Sequence, residues 1–347
     1  MRAIVIHKAK DLRVEDVESE ALKAGQVKIK MATGGVCGSD LHYYNHGGFG
    51  PITLKEPMIL GHEVSGFISE LGEGVDDFSV GDLVAVSPSR PCYDCEYCHK
   101  GQHNHCLNMR FYGSAMPFPH IQGAFREEMV ADASQCVVAN GLSAGEAAMA
   151  EPLSVCLHAT RRAGEMLGKN VLITGAGPIG SLCILAAKCA GAKQITVTDV
   201  SSAALEFAKS IGADNVINTM DAPQTLEAYA ANKGSFDVLF ECSGVEVALR
   251  SAIPTMRPKA IIMQLGLGGD MSLPMMQITA KELELRGSFR FHEEFEVAIE
   301  LMRKGAIDVK PLITHTLSLE DAQSAFDIAA DRNQFSVKAQ IEFAKSA

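Results

Sequence analysis

Asn170-Val171-Leu172-Ile173-Thr174 runs directly into Gly175-Ala176-Gly177-Pro178-Ile179-Gly180, and a helical run follows from Ile179 to Ala190. A strand, a glycine turn and a helix in this order make a cradle for a pyrophosphate. Gly175 permits the tight turn, Gly177 lets the backbone approach the phosphates, and Gly180 lets the helix pack on the strand. Pro178 and Ile179 open that helix, whose first N–H groups and dipole favour negative charge. Asp199 ends the next strand, nineteen residues after Gly180. Its carboxylate can accept from a ribose 2′-OH and repels a 2′-phosphate. No arginine follows in Val200-Ser201-Ser202. The expected cofactor is therefore NAD in preference to NADP.

Further apolar runs continue the alternation at Ile195–Asp199, Asn215–Ile217, Phe236–Phe240, Ala260–Met263 and Leu283–Gly287. Strands and helices alternating at this interval predict a doubly wound parallel sheet, an α/β unit. Upstream the texture differs. Ala3–Ile6, Leu12–Val17, Gln26–Met31, Val64–Ile68 and Asp82–Val86 read as short half-buried strands separated by turns. Residues 1–146 are expected to form a β-rich, partly closed barrel. From Glu146 to Ala163 the spacing is helical, with a break expected near Pro152. The tail offers helices over 295–303 and 320–330 and a last strand. Cys136, Cys156, Cys183, Cys189 and Cys242 are read as small core residues.

The strongest local signal is Cys92-x2-Cys95-x2-Cys98-x7-Cys106. Four thiolates at these spacings close a tetrahedron around Zn²⁺ with no open position, a structural site. The residues between them, among them Tyr93, Asp94, Glu96, His99, Lys100, Gln102, His103, Asn104 and His105, could not build a core of their own. A second donor set lies in Gly34-Gly35-Val36-Cys37-Gly38-Ser39-Asp40-Leu41-His42 and Gly61-His62-Glu63. A thiolate, an imidazole and a carboxylate can hold Zn²⁺ and leave one position open for catalysis. Ser39 and His42 lie close enough in sequence to Cys37 to carry a proton away from that position. Asp40 is expected to orient His62.

The 347 residues carry a net charge of −11, and no basic tract is present, which argues against nucleic acid. Met1-Arg2-Ala3-Ile4-Val5-Ile6-His7 does not read as a signal peptide, and no apolar run is long enough to span a membrane. A soluble, cytoplasmic protein of two domains is the expectation.

These motifs together resemble the zinc-dependent medium-chain alcohol and polyol dehydrogenases, nearly end to end. The pieces that carry the resemblance are Gly61-His62-Glu63-x2-Gly66-x5-Gly72, the four-cysteine lobe at 92–106, and Gly175–Gly180 with Asp199. It implies a GroES-like catalytic domain over 1–146, a Rossmann NAD domain over 147–286 and a return to the catalytic domain over 287–347. Ala150-Glu151-Pro152-Leu153-Ser154 places a glutamate where alcohol dehydrogenases have a second cysteine, as in the sorbitol-dehydrogenase branch. Cys37 and His62 would then ligate catalytic zinc, with Glu63 as third ligand or Glu151 reaching zinc directly or through water.

Ser89-Arg90-Pro91-Cys92, Asn108–Pro117 and Gln122–Glu127 look most like the L-idonate 5-dehydrogenases within that branch. The resemblance implies oxidation of a secondary alcohol in a sugar acid, with a neutral polyol (sorbitol, L-iditol, xylitol) as the alternative. A non-catalytic relative binding NAD or zinc is the remaining one. Tyr43 joins the candidate substrate residues through the run His42-Tyr43-Tyr44. In Gly287-Ser288-Phe289-Arg290-Phe291 the arginine of the polyol pattern is kept and its tyrosine is replaced by Phe291. Arg290 and Arg110 are the candidates for a substrate carboxylate, which a guanidinium grips at two points. By analogy the chain forms a homo-oligomer, dimer or tetramer, with Ala260–Leu265 and Met275-Met276 as an edge contact.

Overall fold

The computed structural model describes residues 1–331 and 334–343. The chain divides into two compact units, one comprising Met1–Glu151, Phe295–Gly305 and the chain from Val309, the other Pro152–Glu294 and Ala306–Asp308. The first division falls after Glu151, because the helix Ala144–Ala148 packs on the strands Gln26–Gly35 and Glu63–Leu71 of the first unit. That helix is separated at Met149 from Ala150–Ala163. The break expected near Pro152 is thus corrected. Proline occupies the first turn of the second helix, where its missing N–H has no partner to lose.

In the second unit six parallel strands take the order 215–218, 194–199, 170–174, 236–241, 256–264, 284–287. The first strand of the sequence lies at the centre and the order reverses there, the arrangement of a doubly wound dinucleotide fold. Leu172, Leu239, Phe236, Leu249 and Ile262 fill one core. The strand Met256–Gln264 is paired on both sides. It cannot be the edge contact expected at Ala260–Leu265; Glu284–Gly287 is the edge instead. Cys156 and Cys183 are buried as expected, whereas Cys189, at the last turn of the helix Pro178–Cys189, is exposed and Cys242 half-buried.

The first unit is organised on a long strand, Gln26–Gly35. Glu63–Leu71 pairs along one side of it. The other side is shared, with Glu128–Asp132 against residues 26–30 and Lys338–Glu342 against residues 33–35. The last strand of the chain is therefore built into the sheet beside the first glycine-rich segment. Ile29, Met31, Val64, Phe125, Phe326 and Ile341 meet in one core between sheet and helices. Among the described residues no helix is long and apolar enough to cross a membrane.

Glu294 illustrates how a buried carboxylate is held within the second unit. Burial alone would raise its carboxyl, but hydrogen bonds from His158 and the His292 N–H hold it down at about 2. Its folded value lies below its ordinary 4.5, so its contribution to stability is complete above pH 4.5 and is withdrawn as pH falls toward 2. Glu294→Gln should flatten the acid limb of a denaturation series in that window and leave neutral pH comparatively unchanged.

Candidate active site and cofactor sites

Cys37 follows the strand Gln26–Gly35 and caps the helix Gly38–His46. Its partner segment, Gly61-His62-Glu63, enters the neighbouring strand. Two groups bring the segments together. The ring of Phe125 lies so close that a Cβ on Gly34 would come within 2.6 Å of it and one on Gly61 within 2.0 Å. Asp40, fully buried, accepts the Cys37 N–H with one oxygen at 3.0 Å and the Gly61 N–H with the other at 3.2 Å. The latter oxygen lies 3.7 Å from His62 Nδ1, a buried nitrogen with no hydrogen-bond partner. Nδ1 thus faces Asp40 and Nε2 points the other way, toward the donors. One ligand atom each from Cys37, His62 and Glu63 lies within 4.8 Å of the others.

Lys338 completes this arrangement from the far end of the chain. Its ammonium donates to both Glu63 oxygens, at 2.8 and 2.6 Å, and to the Val36 carbonyl at 3.2 Å. Both side chains of the pair are almost inaccessible, at 2% and 1% exposure. A Cβ on Gly35 would stand 2.4 Å from Glu63 Oε2, so only glycine leaves room for the pair. Glu151 is buried nearby, and burial, then the Glu63 and Cys37 charges, push its carboxyl up to about 8 against the opposing pull of His62. Burial, then Glu63, push the Cys37 thiol up to about 12. Two carboxylates and a thiol thus converge on a single ammonium. A dication is the charge such a donor set fits, and it would reverse both upward shifts. Thiolate, imidazole and carboxylate suit zinc.

The remaining candidates divide. Ser39 Oγ lies 3.4 Å from His62 Nε2, at the donor set. His42, one turn along the same helix, packs against His46 and Phe49. Burial, then His46, lower its pKa. Tyr43 is buried, and its hydroxyl accepts the Ala115 N–H at 3.0 Å. Arg110 and Tyr112 line a separate cavity, while Phe111 between them lays its ring 5.6 Å from that of His62. Arg290 belongs to the second unit, with φ +55° and its guanidinium 4.8 Å from the centre of the Phe289 ring.

The sulfurs of Cys92, Cys95, Cys98 and Cys106 all lie within 4.8 Å of one another, with two pairs at 3.5 Å. A tetrahedron with Zn–S of about 2.3 Å has edges of about 3.8 Å, so the cluster needs little adjustment. The N–H groups of Cys92, Leu107 and Asn108 donate to these sulfurs, as suits thiolates.

At the dinucleotide turn Gly175 has φ +89°, and a Cβ on Gly180 would stand 1.8 Å from the Gly175 carbonyl. Gly177 begins the helix Pro178–Cys189. Asp199 accepts the Ala176 N–H at 2.7 Å with one oxygen and the Val200 and Ser201 N–H groups with the other. It lines, with Gly175, Val200 and Met220, a cavity of about 460 Å³. Space and chemistry fit the adenosine half of a nicotinamide dinucleotide.

Two family profiles match the chain, an alcohol dehydrogenase GroES-like domain at residues 23–141 and a zinc-binding dehydrogenase at 178–304. The chain is 40% identical to an Escherichia coli L-idonate 5-dehydrogenase (NAD(P)(+)) over 91% of each sequence. It belongs to the zinc-binding medium-chain dehydrogenases. A Gallus gallus sorbitol dehydrogenase is 36% identical, over 94% of this chain and 92% of that one. The crystal structure of an L-idonate 5-dehydrogenase from Escherichia coli superposes with a TM-score of 0.93 at 38% identity, over 98% and 97% of the two chains. This dehydrogenase is thus an oxidoreductase that uses zinc and a nicotinamide dinucleotide.

Lys338 escaped the sequence reading. It sits in Val337-Lys338-Ala339-Gln340-Ile341, where every residue is buried, so alternation gives no sign of which side it faces. Lys338→Met leaves Glu63 buried and unpaired, and should lower stability by about 3–5 kcal/mol. Denaturant melts check this, with Lys338→Met/Glu63→Gln expected to recover much of the loss. A single variant as stable as the parent would show that the pair contributes nothing.

Proposed function

We propose that this dehydrogenase oxidises a secondary alcohol of a sugar acid with NAD, L-idonate to 5-keto-D-gluconate. The observation that carries the reading is the 40% identity over 91% of both chains to a protein named for that substrate. Bound zinc would supply polarisation of the substrate hydroxyl, and the bound nicotinamide would supply the hydride acceptor. The chain's own part is positional. Cys37, His62 and a carboxylate hold the metal. Glu63 lies within reach of the other donors while its oxygens are engaged by Lys338, and among the described residues Glu151 has no such ammonium hydrogen-bonded to it. Ser39 Oγ is the first acceptor for the substrate's proton, and His42, its pKa lowered and its ring neutral at pH 7, is the outlet.

A sugar acid also presents a carboxylate. Arg110 faces the side of its short strand opposite the Phe111 ring at His62, and the Tyr43 hydroxyl is taken by a backbone N–H. The resemblance to the polyol dehydrogenases, whose pattern keeps this arginine, is the ground for assigning the carboxylate to Arg290. Assembly of subunits is assigned to the edge strand Glu284–Gly287, where Leu285 is half exposed, together with the start of the helix Met275–Ala280, where Met275 and Met276 stand largely bare.

The test is the initial rate of NADH formation with L-idonate, sorbitol and xylitol. L-idonate should give the highest kcat/KM; a faster neutral polyol would overturn the reading in favour of a polyol dehydrogenase, which the sorbitol dehydrogenase relative supports. Arg290→Met removes a charge-assisted contact worth about 1.5–3 kcal/mol, so kcat/KM for L-idonate should fall roughly 10- to 100-fold. Its rate with sorbitol should barely move.

Asp199 bears on the choice of dinucleotide. Because its carboxylate also holds Ala176, Asp199→Ala should weaken both cofactors. The ratio of kcat/KM for NAD over NADP is the informative quantity, and it should fall.

A further inference from the structure

Apart from the metal and dinucleotide sites, the first unit contains a cavity of about 450 Å³ whose lining includes Lys23, Arg90, Arg110, Arg126, Tyr112 and Gln122. Glu20 is the one acidic residue there, so four formal cations face one anion in a chain whose net charge is −11. His120 adds no charge, because Nε2 accepts the Lys55 N–H at 2.9 Å and Nδ1 donates to the Pro117 carbonyl.

The cations are only partly compensated. Arg90 pairs with Asp132 at 2.6 Å and Arg126 with Glu20 at 3.0 Å. Arg126 is nevertheless 3% exposed, and its Nε has no hydrogen-bond partner. Lys23 and Arg110 have no acidic partner among the described residues. Arg110 also sits directly opposite Arg90 in a two-stranded antiparallel ladder, a placement that sets like charges against each other. Gln122 accepts the Ile59 N–H with its oxygen, which leaves its amide NH₂ to donate. Apart from the second oxygen of Glu20, what the lining side chains named here leave unengaged is donors and positive charge.

We propose that this cavity is a binding site for a small, multiply charged anion bearing carboxylate or phosphate groups, separate from the metal site. Two guanidinium groups match the planar, two-point geometry of such oxyanions, and Lys23 adds a mobile point charge. The volume suits a small metabolite. An anion here relieves the Arg90–Arg110 repulsion and gives the buried Arg126 an acceptor. Because Phe111 lies between two residues of the lining and packs on His62, occupancy also steadies one wall of the donor set.

The proposal is tested on the full chain, zinc-loaded and saturated with NAD so that the dinucleotide site is filled. Calorimetric titrations use inorganic phosphate and, separately, tricarballylate, against sodium chloride at matched ionic strength. Saturable binding of one probe or both is expected, and the probe that binds identifies phosphate or carboxylate as the ligand's chemistry. Kd should rise about tenfold or more in Lys23→Ser and in Arg110→Ser. Both side chains are exposed, so these variants keep the fold and decide the question even if Arg126→Gln does not fold. Heats no different from sodium chloride with both probes, or unchanged affinity in both variants, would overturn the site.

Discussion

The ion pair between Glu63 and Lys338 sets the terms for the rest of the first unit. Two opposite charges almost without water between them and solvent tolerate little displacement, because the cost of an unmatched buried charge is several kcal/mol or about that order. Their positions then fix what surrounds them. Gly35 must lack a side chain, Val36 must turn its carbonyl inward, and the last strand must lie beside the first long one. Cys37 and His62, each next in sequence to a residue of this lock, inherit their positions from it. Asp40 repeats the principle with backbone donors, holding Cys37 and Gly61 by one carboxylate.

Much of this was legible in the sequence, and for identifiable reasons. Motifs whose chemistry is local came through well. Gly175–Gly180 forms the turn its spacing implies, and the four cysteines at 92–106 gather as their intervals require, because few residues separate the parts. Cys37, His62 and Glu63 also meet, as their types suggested. What resisted reading depends on long-range partners. Lys338 is 275 positions from Glu63, and a uniformly buried strand gives no period to read. The interior place of Met256–Gln264 follows from Glu284–Gly287 pairing outside it, which an apolar run alone does not announce. The break at Met149 in place of Pro152 shows a proline tolerated where a helix begins.

The two units handle charge differently. In the second, Asp199 and Glu241 take backbone N–H groups around the glycine turn and in the loop after the strand Phe236–Glu241, so carboxylates act as acceptors that shape loops. In the first, carboxylates and a thiol converge with one ammonium among the described residues, a pattern suited to an added cation. Elsewhere in that unit the imbalance is of the opposite sign, with arginines gathered around a cavity. An acidic protein can thus carry both excesses, because each is local to a few residues.

The contribution of Lys338 to the donor set has a bearing on how the protein is made. Synthesis delivers Cys37, His62 and Glu63 early, and the ammonium that steadies them only after a further 275 residues beyond Glu63. Until then Glu63 lacks the Lys338 ammonium and the long strand Gln26–Gly35 lacks its neighbour over residues 33–35. Alignment of the metal ligands is in this way tied to the arrival of the strand that carries Lys338, and a chain released before it would hold the ligands without the scaffold that aligns them.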